Sequence, residues 1–555
     1  MTRSVTLTIS LVLLGAFLGA GLMALQPLGQ TATQEGNKAT KTHIPTNPET
    51  PEGKTAQGKK QTDDPALDIA SVTLFKNVKV FNGKDNRLYD LDVLVVGNKI
   101  KKVGKNIPSM GTYEVDARRK VVRFTPVETG LSFNNRTDAY TLRIITDGIP
   151  TKKVKVPVNV IDGGGRTLMP GLIDSHVHLT HVYSQGGVKG FEAETWEEIA
   201  ANATAGAKEY LMNGFTTVRD MGGMGTGIKR AIDRGLVEGP RVYAAGAYIT
   251  QTSGHADLRL RSQPNALLRG INYSNLERLN IIRIADGVPS MLTAVRENFA
   301  EGAAYIKIHA GGGVTSERDP LHTIQYTPAE LRAANQAVKN WDTYWTVHAY
   351  NTPTVKQALD AGAKCIDHAQ MVDEATVKRM ADEGIFLSTH FASMSEEILN
   401  KHPVYSDKAS PVYQKSMAFL DGPKHFVKYL KKHKPKRVFA SDPVFMTPVA
   451  LRRFLDFEKR ENERHFGAFD SLKAMTSVAG DLAALTGKNN PYPGKLGVVE
   501  EGAYADLLLV DGNPLRSLSV LGANPKFYEA AARSANVKTI RIIMKDGKFY
   551  KNSLK

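Results

Sequence analysis

Cysteine is almost missing from this chain: Cys365 is the single one in 555 residues. One thiol excludes intramolecular disulfides, a cysteine-based zinc site and an iron–sulfur cluster. Long hydrophobic runs are also missing outside residues 5–25, so the chain is not a multi-span membrane protein. Negative charge is in deficit, with 72 Lys and Arg against 56 Asp and Glu and a net charge of +16. Most of that excess is spread as single residues. The one basic cluster, KYLKKHKPKR (428–437), reads as the solvated end of a surface helix, and no nucleic-acid partner is expected. What remains is ordinary globular composition, 42% hydrophobic and 23% charged, with 14 histidines that leave room for a histidine-rich metal site.

Residues 5–25 carry no charge and follow Arg3. A positive residue before an apolar run is the pattern of a secretory signal. About 20 apolar residues also suffice to span a bilayer. Export to the periplasm or medium is therefore expected, with residues 5–25 either cleaved or kept as a membrane anchor. Residues 26–68 are rich in Thr, Gln, Lys, Pro and Gly, cannot bury a core, and read as a disordered linker.

From Ser71 the chain turns to short alternating runs such as VTLFKNVKVFNG and LDVLVVGNKIKKVG, which predict strands joined by Gly and Asn turns. Strand-like segments return after residue 494, in GKLGVVEEGAYADLLLVDG and VKTIRIIMKDGKFYK. Segments 69–166 and 494–555 are expected to pair into one composite β-sandwich, with 117–158 as an insertion that extends a sheet edge. Between them, in 167–493, apolar strand-like segments alternate with helical ones such as TWEEIAANATAGAKEYLMNG (195–214) and TPAELRAANQAVKN (327–340). About eight such units in roughly 330 residues are the periodicity of a (β/α)8 TIM barrel. The fold class expected is thus α/β.

In a TIM barrel the working residues stand at the C-terminal strand ends. The first strand ends in Asp174-Ser175-His176-Val177-His178, whose alternate histidines can reach one ion together. The fourth ends in Ile306-Lys307-Ile308-His309, which puts a lysine inside an apolar strand. Burial pushes such an amine toward its neutral form, able to take up CO2 as a carbamate, unless it pairs with a carboxylate or snorkels to the barrel mouth. Strands five, six and eight end in Val347-His348-Ala349, Ile366-Asp367-His368-Ala369 and Ala440-Ser441-Asp442-Pro443. Any one of these could be a core histidine or a helix N-cap aspartate, but six N and O donors in order at strand ends are hard to explain by packing.

The sequence resembles the amidohydrolase superfamily, in the branch of imidazolonepropionase-like enzymes, Xaa-Pro-type metallo-dipeptidases and ochratoxin-hydrolysing amidases. TLMPGLIDSHVHL, GFTTVRDMGG, YIKIHAGGGV, VHAY, IDHA and SDP carry the resemblance across residues 71–555. It implies a binuclear centre of two divalent cations, zinc being the expected metal. His176 and His178 would bind the first ion, His348 and His368 the second, carboxylated Lys307 would bridge them, and Asp442 would ligate the first beside a bridging hydroxide. Asp442 would also be catalytic, taking a proton from that hydroxide and giving it to the leaving amine. The expected activity is hydrolysis of amide bonds in dipeptides or N-acyl amino acids, in a homo-oligomer. A lactone, cyclic amide or phosphotriester hydrolase is the enzymatic alternative, and a metal-free barrel scaffold the non-enzymatic one.

Substrate contacts are expected from His255 in Gln251-Thr252-Ser253-Gly254-His255, from Tyr350 two residues beyond His348, and from His390 at the end of strand seven. Each has a packing alternative: loop fixing for His255 and ring packing at the mouth for the others. Arg219-Asp220 reads as a structural ion pair, Cys365 as a small core residue, and Gly311-Gly312-Gly313 as a place where backbone approaches the site closely.

Overall fold

The computed structural model describes residues 72–109, 111–116, 123–126, 139–142, 151–153, 155–223, 225–266, 273–396, 401, 407–421 and 423–554. The expected leader (5–25) and linker (26–68) lie outside them, as do 117–122, 127–138 and 143–150 of the expected insertion. Among the described residues no helix is long and apolar enough to cross a membrane.

The N-terminal strands Val72–Val80, Tyr89–Val96 and Lys99–Gly104 form an antiparallel meander whose buried face carries Phe75, Val93 and Val95. Val72–Val80 also runs parallel to Thr167–Pro170, which pairs antiparallel with Leu507–Val510 and, through it, with Ile540–Lys545 and Lys548–Asn552. The strands from Val72 onward and those from Leu507 onward are therefore one sheet system, with Leu507, Leu509, Ile542 and Met544 packed on the N-terminal strands. Strands at 111–116, 123–126, 139–142 and 151–153 continue the same sheet from Lys155–Asp162 outward.

The barrel strands are Leu172–Val177, Phe215–Asp220, Arg241–Ala244 with Tyr248–Thr250, Ile306–His309, Trp345–Asn351, Cys365–Met371, Phe386–Thr389 and Lys436–Phe439. They run parallel and are almost wholly buried, as strands covered by helices on one side and barrel core on the other must be. The third strand is broken at Ala245–Ala247, where the Asn298 side chain bonds both the N–H (3.1 Å) and the carbonyl (2.9 Å) of Ala247. The ring is completed between strands eight and one, where Asp442 N–H donates to the His176 carbonyl (2.9 Å) and Ser441 N–H to Asp174 (3.1 Å).

Local signals explain the helices. Thr195 and Thr327 each accept from the backbone N–H three residues on, while Glu198 and Glu330 reach back to the cap, so Trp196–Met212 and Pro328–Lys339 begin in complete capping boxes. The basic cluster is divided. Lys431, Lys432 and His433 end the helix Pro423–His433, where cations complement the carbonyl dipoles, and Lys436 and Arg437 open the eighth strand.

One expectation meets a different outcome. Arg219 and Asp220 do not pair, because neighbours on a strand point to opposite sides. Arg219 lies on the barrel floor against the rings of Tyr305 (4.8 Å) and Tyr344 (5.8 Å), with Nη1 3.6 Å from Cys365 Sγ. Asp220 instead accepts from Leu179 N–H (2.9 Å), and burial pushes its carboxyl up to about 7. Cys365 is fully buried in that floor.

Candidate active site

The barrel mouth gathers imidazoles around one carboxylate. Asp442 Oδ1 is 3.0 Å from His178 Nε2 and 3.4 Å from His176 Nε2, and Oδ2 is 3.3 Å from His390 Nε2 and 3.9 Å from His368 Nδ1. Two donor groups result, His176–His178–Asp442 and His368–His390–Asp442, each with its ligand atoms mutually within 4.8 Å. His390, expected as a substrate contact, thus stands beside His368, with Nε2 2.9 Å from His368 Nδ1. His348, expected as a ligand, belongs to neither group. Its ring stacks on His255 (4.0 Å, 18°) and meets His368 at 4.5 Å.

Register explains part of the gathering. His309 is level with His348, and Ala349 with His368, so the strand ends arrive at one height. Strain explains the rest. His368 and Ala369 both have left-handed backbone (φ 74° and 60°), as does Asp442 (φ 53°), conformations costly for side chains with a Cβ and typical of functional sites. The turn at His368 breaks the two-residue alternation, so Asp367 and His368 both reach the interior.

Lys307 is fully buried, and its Nζ donates to Asp367 Oδ2 (2.7 Å), which also accepts from Thr346 (2.7 Å). Burial pushes the Lys307 amine below its ordinary value, only partly countered by Asp367. Burial likewise pushes His176, His348 and His368 well below the usual imidazole range, so they are neutral and carry free lone pairs, the form in which histidine ligates metals. Burial alone would raise Asp442, but the imidazoles of His176, His178 and His390 outweigh it and hold the carboxyl ionised. His176 Nδ1 and Asp367 Oδ1 are buried, 3.7 Å apart and without hydrogen-bond partners. Such orphaned polar atoms inside a ring of neutral donors and a carboxylate fit a bound divalent cation.

Around this centre the structure adds Tyr248, Ser316, Asp319, Lys415, His181 and His309, which the sequence did not single out. Tyr248 shares a hydrogen bond with His178 Nδ1 (2.6 Å), leaving Nε2 toward Asp442. His255 Nδ1 faces Asp319 Oδ2 (2.8 Å) and Ser316 Oγ (2.7 Å), and Asp319 is in turn held by Lys415 (3.2 Å). His181 and His309 also line the pocket, with His309 Nδ1 3.3 Å from the Ile249 carbonyl. Of these, His309 alone carried a visible signal, as the last residue of the fourth strand. Tyr350 stacks on His368 (4.9 Å) and meets Phe419 edge-on. The backbone at Gly313 does come close: a Cβ there would lie 2.2 Å from the His255 ring. The cavity is lined by His176, His178, Lys307, His348, His368, His390 and Asp442 and by the apolar Val188, Leu258, Val314, Phe419 and Phe445.

The amidohydrolase family matches residues 167–549, most of the chain. The chain belongs to that family. Over 406 residues this amidohydrolase is 26% identical to the ochratoxinase of Aspergillus niger, covering 69% of this chain and 75% of that protein. It is 24% identical over 385 residues to the imidazolonepropionase of Idiomarina loihiensis, covering 66% and 83%. Among solved structures, a prolidase complexed with N-methylphosphonate-L-proline has a TM-score of 0.68 at 25% identity, covering 87% of this chain and all (100%) of that one. The A. niger ochratoxinase structure, at 23% identity and TM-score 0.64, shares the fold. The amidohydrolase fold is thus the TIM barrel with composite sandwich that the periodicity implied.

Proposed function

We propose that this amidohydrolase cleaves the amide bond of dipeptides, Xaa-Pro among them, or of N-acyl amino acids, using two divalent cations, zinc in the first instance. The observation that carries this is Asp442, whose two carboxylate oxygens face four imidazoles at the base of an open pocket. The names of the prolidase and ochratoxinase relatives support the bond type.

His176, His178 and Asp442 would hold one cation, His348 and His368 the other, and Lys307 as a carbamate would stand between them. His390 is placed to join the second set. Bound cations supply Lewis acidity, which activates water and polarises a scissile carbonyl. Asp442, ionised and at the pocket base, accepts the proton released as water attacks and returns it to the departing amine. His255, fixed by Asp319, and Tyr350, stacked over His368, offer hydrogen bonds to the substrate. The apolar rim of Val188, Leu258 and Phe445 keeps bulk water from the acyl group. From the charge-free apolar run at 5–25 behind Arg3 we also propose that the enzyme is exported, with that segment as signal or anchor. Cell fractionation checks this, and a wholly cytoplasmic chain would reject it.

The deciding experiment is hydrolysis of a dipeptide and N-acyl amino acid library by the full chain loaded with zinc and bicarbonate, beside Lys307→Ala and Asp442→Asn. Amine release by the wild type that falls at least about 100-fold in both variants is expected. Absence of amide cleavage by protein shown to contain metal would sink the proposal.

A further inference from the structure

Beside the metal pocket lies a second cavity that the proposed reaction does not use. Val188 and Leu258 line both, so the two adjoin at these side chains. Ser316 faces it as well, and the Oγ of Ser316 is 2.7 Å from Nδ1 of His255, whose ring lines the first pocket. A substituent reaching from the first pocket into the second would pass these two aliphatic side chains.

The walls are ordered by a buried carboxylate. Asp257 is bound through both oxygens by Arg259 (2.8 and 2.7 Å) and accepts from Ser253 N–H (2.9 Å), while Ser253 Oγ donates to the Arg318 carbonyl (3.0 Å). These bonds tie the loop after the third strand to the loop after the fourth. They also occupy the charge of Arg259. Arg318 lies further from the same carboxylate, at 3.8 Å. Arg261 meets Glu317 at 3.6 Å, in a pair 78% and 49% exposed that solvent weakens. Lys189 makes no ion pair among the described residues. The cavity is lined by Lys189, Arg259, Arg261 and Arg318 against Asp257 and Glu317, an excess of two positive charges (4 − 2) among the lining residues. Val188 and Leu258, shared with the metal pocket, make the boundary between the two apolar, and Leu260 adds to the apolar lining of the second.

We propose that this cavity is an extended substrate subsite that takes an apolar substituent ending in an anion. The preferred amides would then carry a long aliphatic or aromatic arm with a terminal carboxylate, on either the acyl or the amine side of the scissile bond. This rests on the amidase reading of the neighbouring pocket and adds its substrate class.

The test compares matched compounds on the metal-loaded full chain. On the acyl side these are N-suberoyl-L-proline and its terminal carboxamide. On the amine side they are N-acetyl-2-aminosuberate and its side-chain carboxamide. In one arm or the other the carboxylate should exceed its carboxamide about tenfold in kcat/KM at low salt, and raising salt to about 0.5 M should shrink the ratio, since exposed charges are screened. In Lys189→Gln/Arg261→Gln/Arg318→Gln the ratio should fall toward one. Because it is taken within one protein, a variant that is poorly folded does not confuse it. Calorimetric binding of the same pairs is run in parallel. If no amide is cleaved, the amidase reading fails, and the subsite stands or falls on whether the carboxylates still bind about tenfold tighter than the carboxamides. Ratios near one in both arms, or ratios unchanged in the triple variant, overturn the subsite.

Discussion

Replacing Asp319 by Asn isolates the charge that fixes His255 over the pocket. Asp319 is fully buried, and its oxygens face His255 Nδ1 (2.8 Å), Gly313 N–H (2.7 Å), Lys415 (3.2 Å) and Ser316. Burial alone would raise its carboxyl, but His255, Lys415 and Ser316 together bring it from 3.8 to about 2. A carboxyl so displaced contributes about 2.4 kcal/mol to folding when ionised. Because the folded value lies below the unfolded one, that contribution is complete above about pH 5 and disappears as pH falls through 3.8 toward 2. At pH 3 about 1.3 kcal/mol of it remains. Urea unfolding of metal-stripped wild type and Asp319→Asn should therefore differ by at least about 2.4 kcal/mol at pH 7, and by roughly half of that charge-dependent part at pH 3. A loss under about 1 kcal/mol at pH 7, or one that does not shrink on acidification, would refute the electrostatic account of the His255 clamp.

Tyr248→Phe removes the hydroxyl 2.6 Å from His178 Nδ1 and should weaken zinc binding about 10- to 100-fold in chelator competition; unchanged affinity would mean that His178 needs no such orientation. Gly222→Ala should destabilise by about 2–4 kcal/mol, because Gly222 has φ 144° and a Cβ there would sit 2.4 Å from the Tyr248 ring; a neutral result in thermal unfolding would count against this packing. Glu458, fully buried, accepts from the N–H groups of Phe391 and Ala392 after His390, and burial raises its carboxyl well above the usual range. Glu458→Gln should therefore cost under about 1 kcal/mol and Glu458→Ala about 2–4, and equal losses in the two would show that the charge rather than the acceptor matters.

Much of the site could be read before folding because a barrel delivers strand ends to one place. His176, His178, Lys307, His348, His368 and Asp442 were visible as polar residues ending apolar runs, and all line the observed cavity. Their partners were not. Asp367 was hidden because strand alternation places it opposite His368, and only the left-handed turn at His368 brings both inward. Tyr248 follows a strand break that the run RVYAAGAYIT does not announce. Asp319, from the loop after the fourth strand, and Lys415, from the helix Pro411–Asp421, meet beside His255 only in space. The Arg219-Asp220 pair failed for the converse reason, since adjacency along a strand is separation across it.

The sequence by itself determined the architecture and which strand-end polar residues line the cavity. Hydrophobic period, caps and strand-end chemistry are local properties, and the parallel barrel converts them into one site wherever they occur in order. Tertiary structure alone decided which donors group together, that His390 rather than His348 stands with His368 around Asp442, and which carboxylate each buried cation meets. Those choices depend on register, on backbone strain at single residues and on loops from distant parts of the chain. Side-chain distances of a few ångströms follow from the whole fold and have no local code.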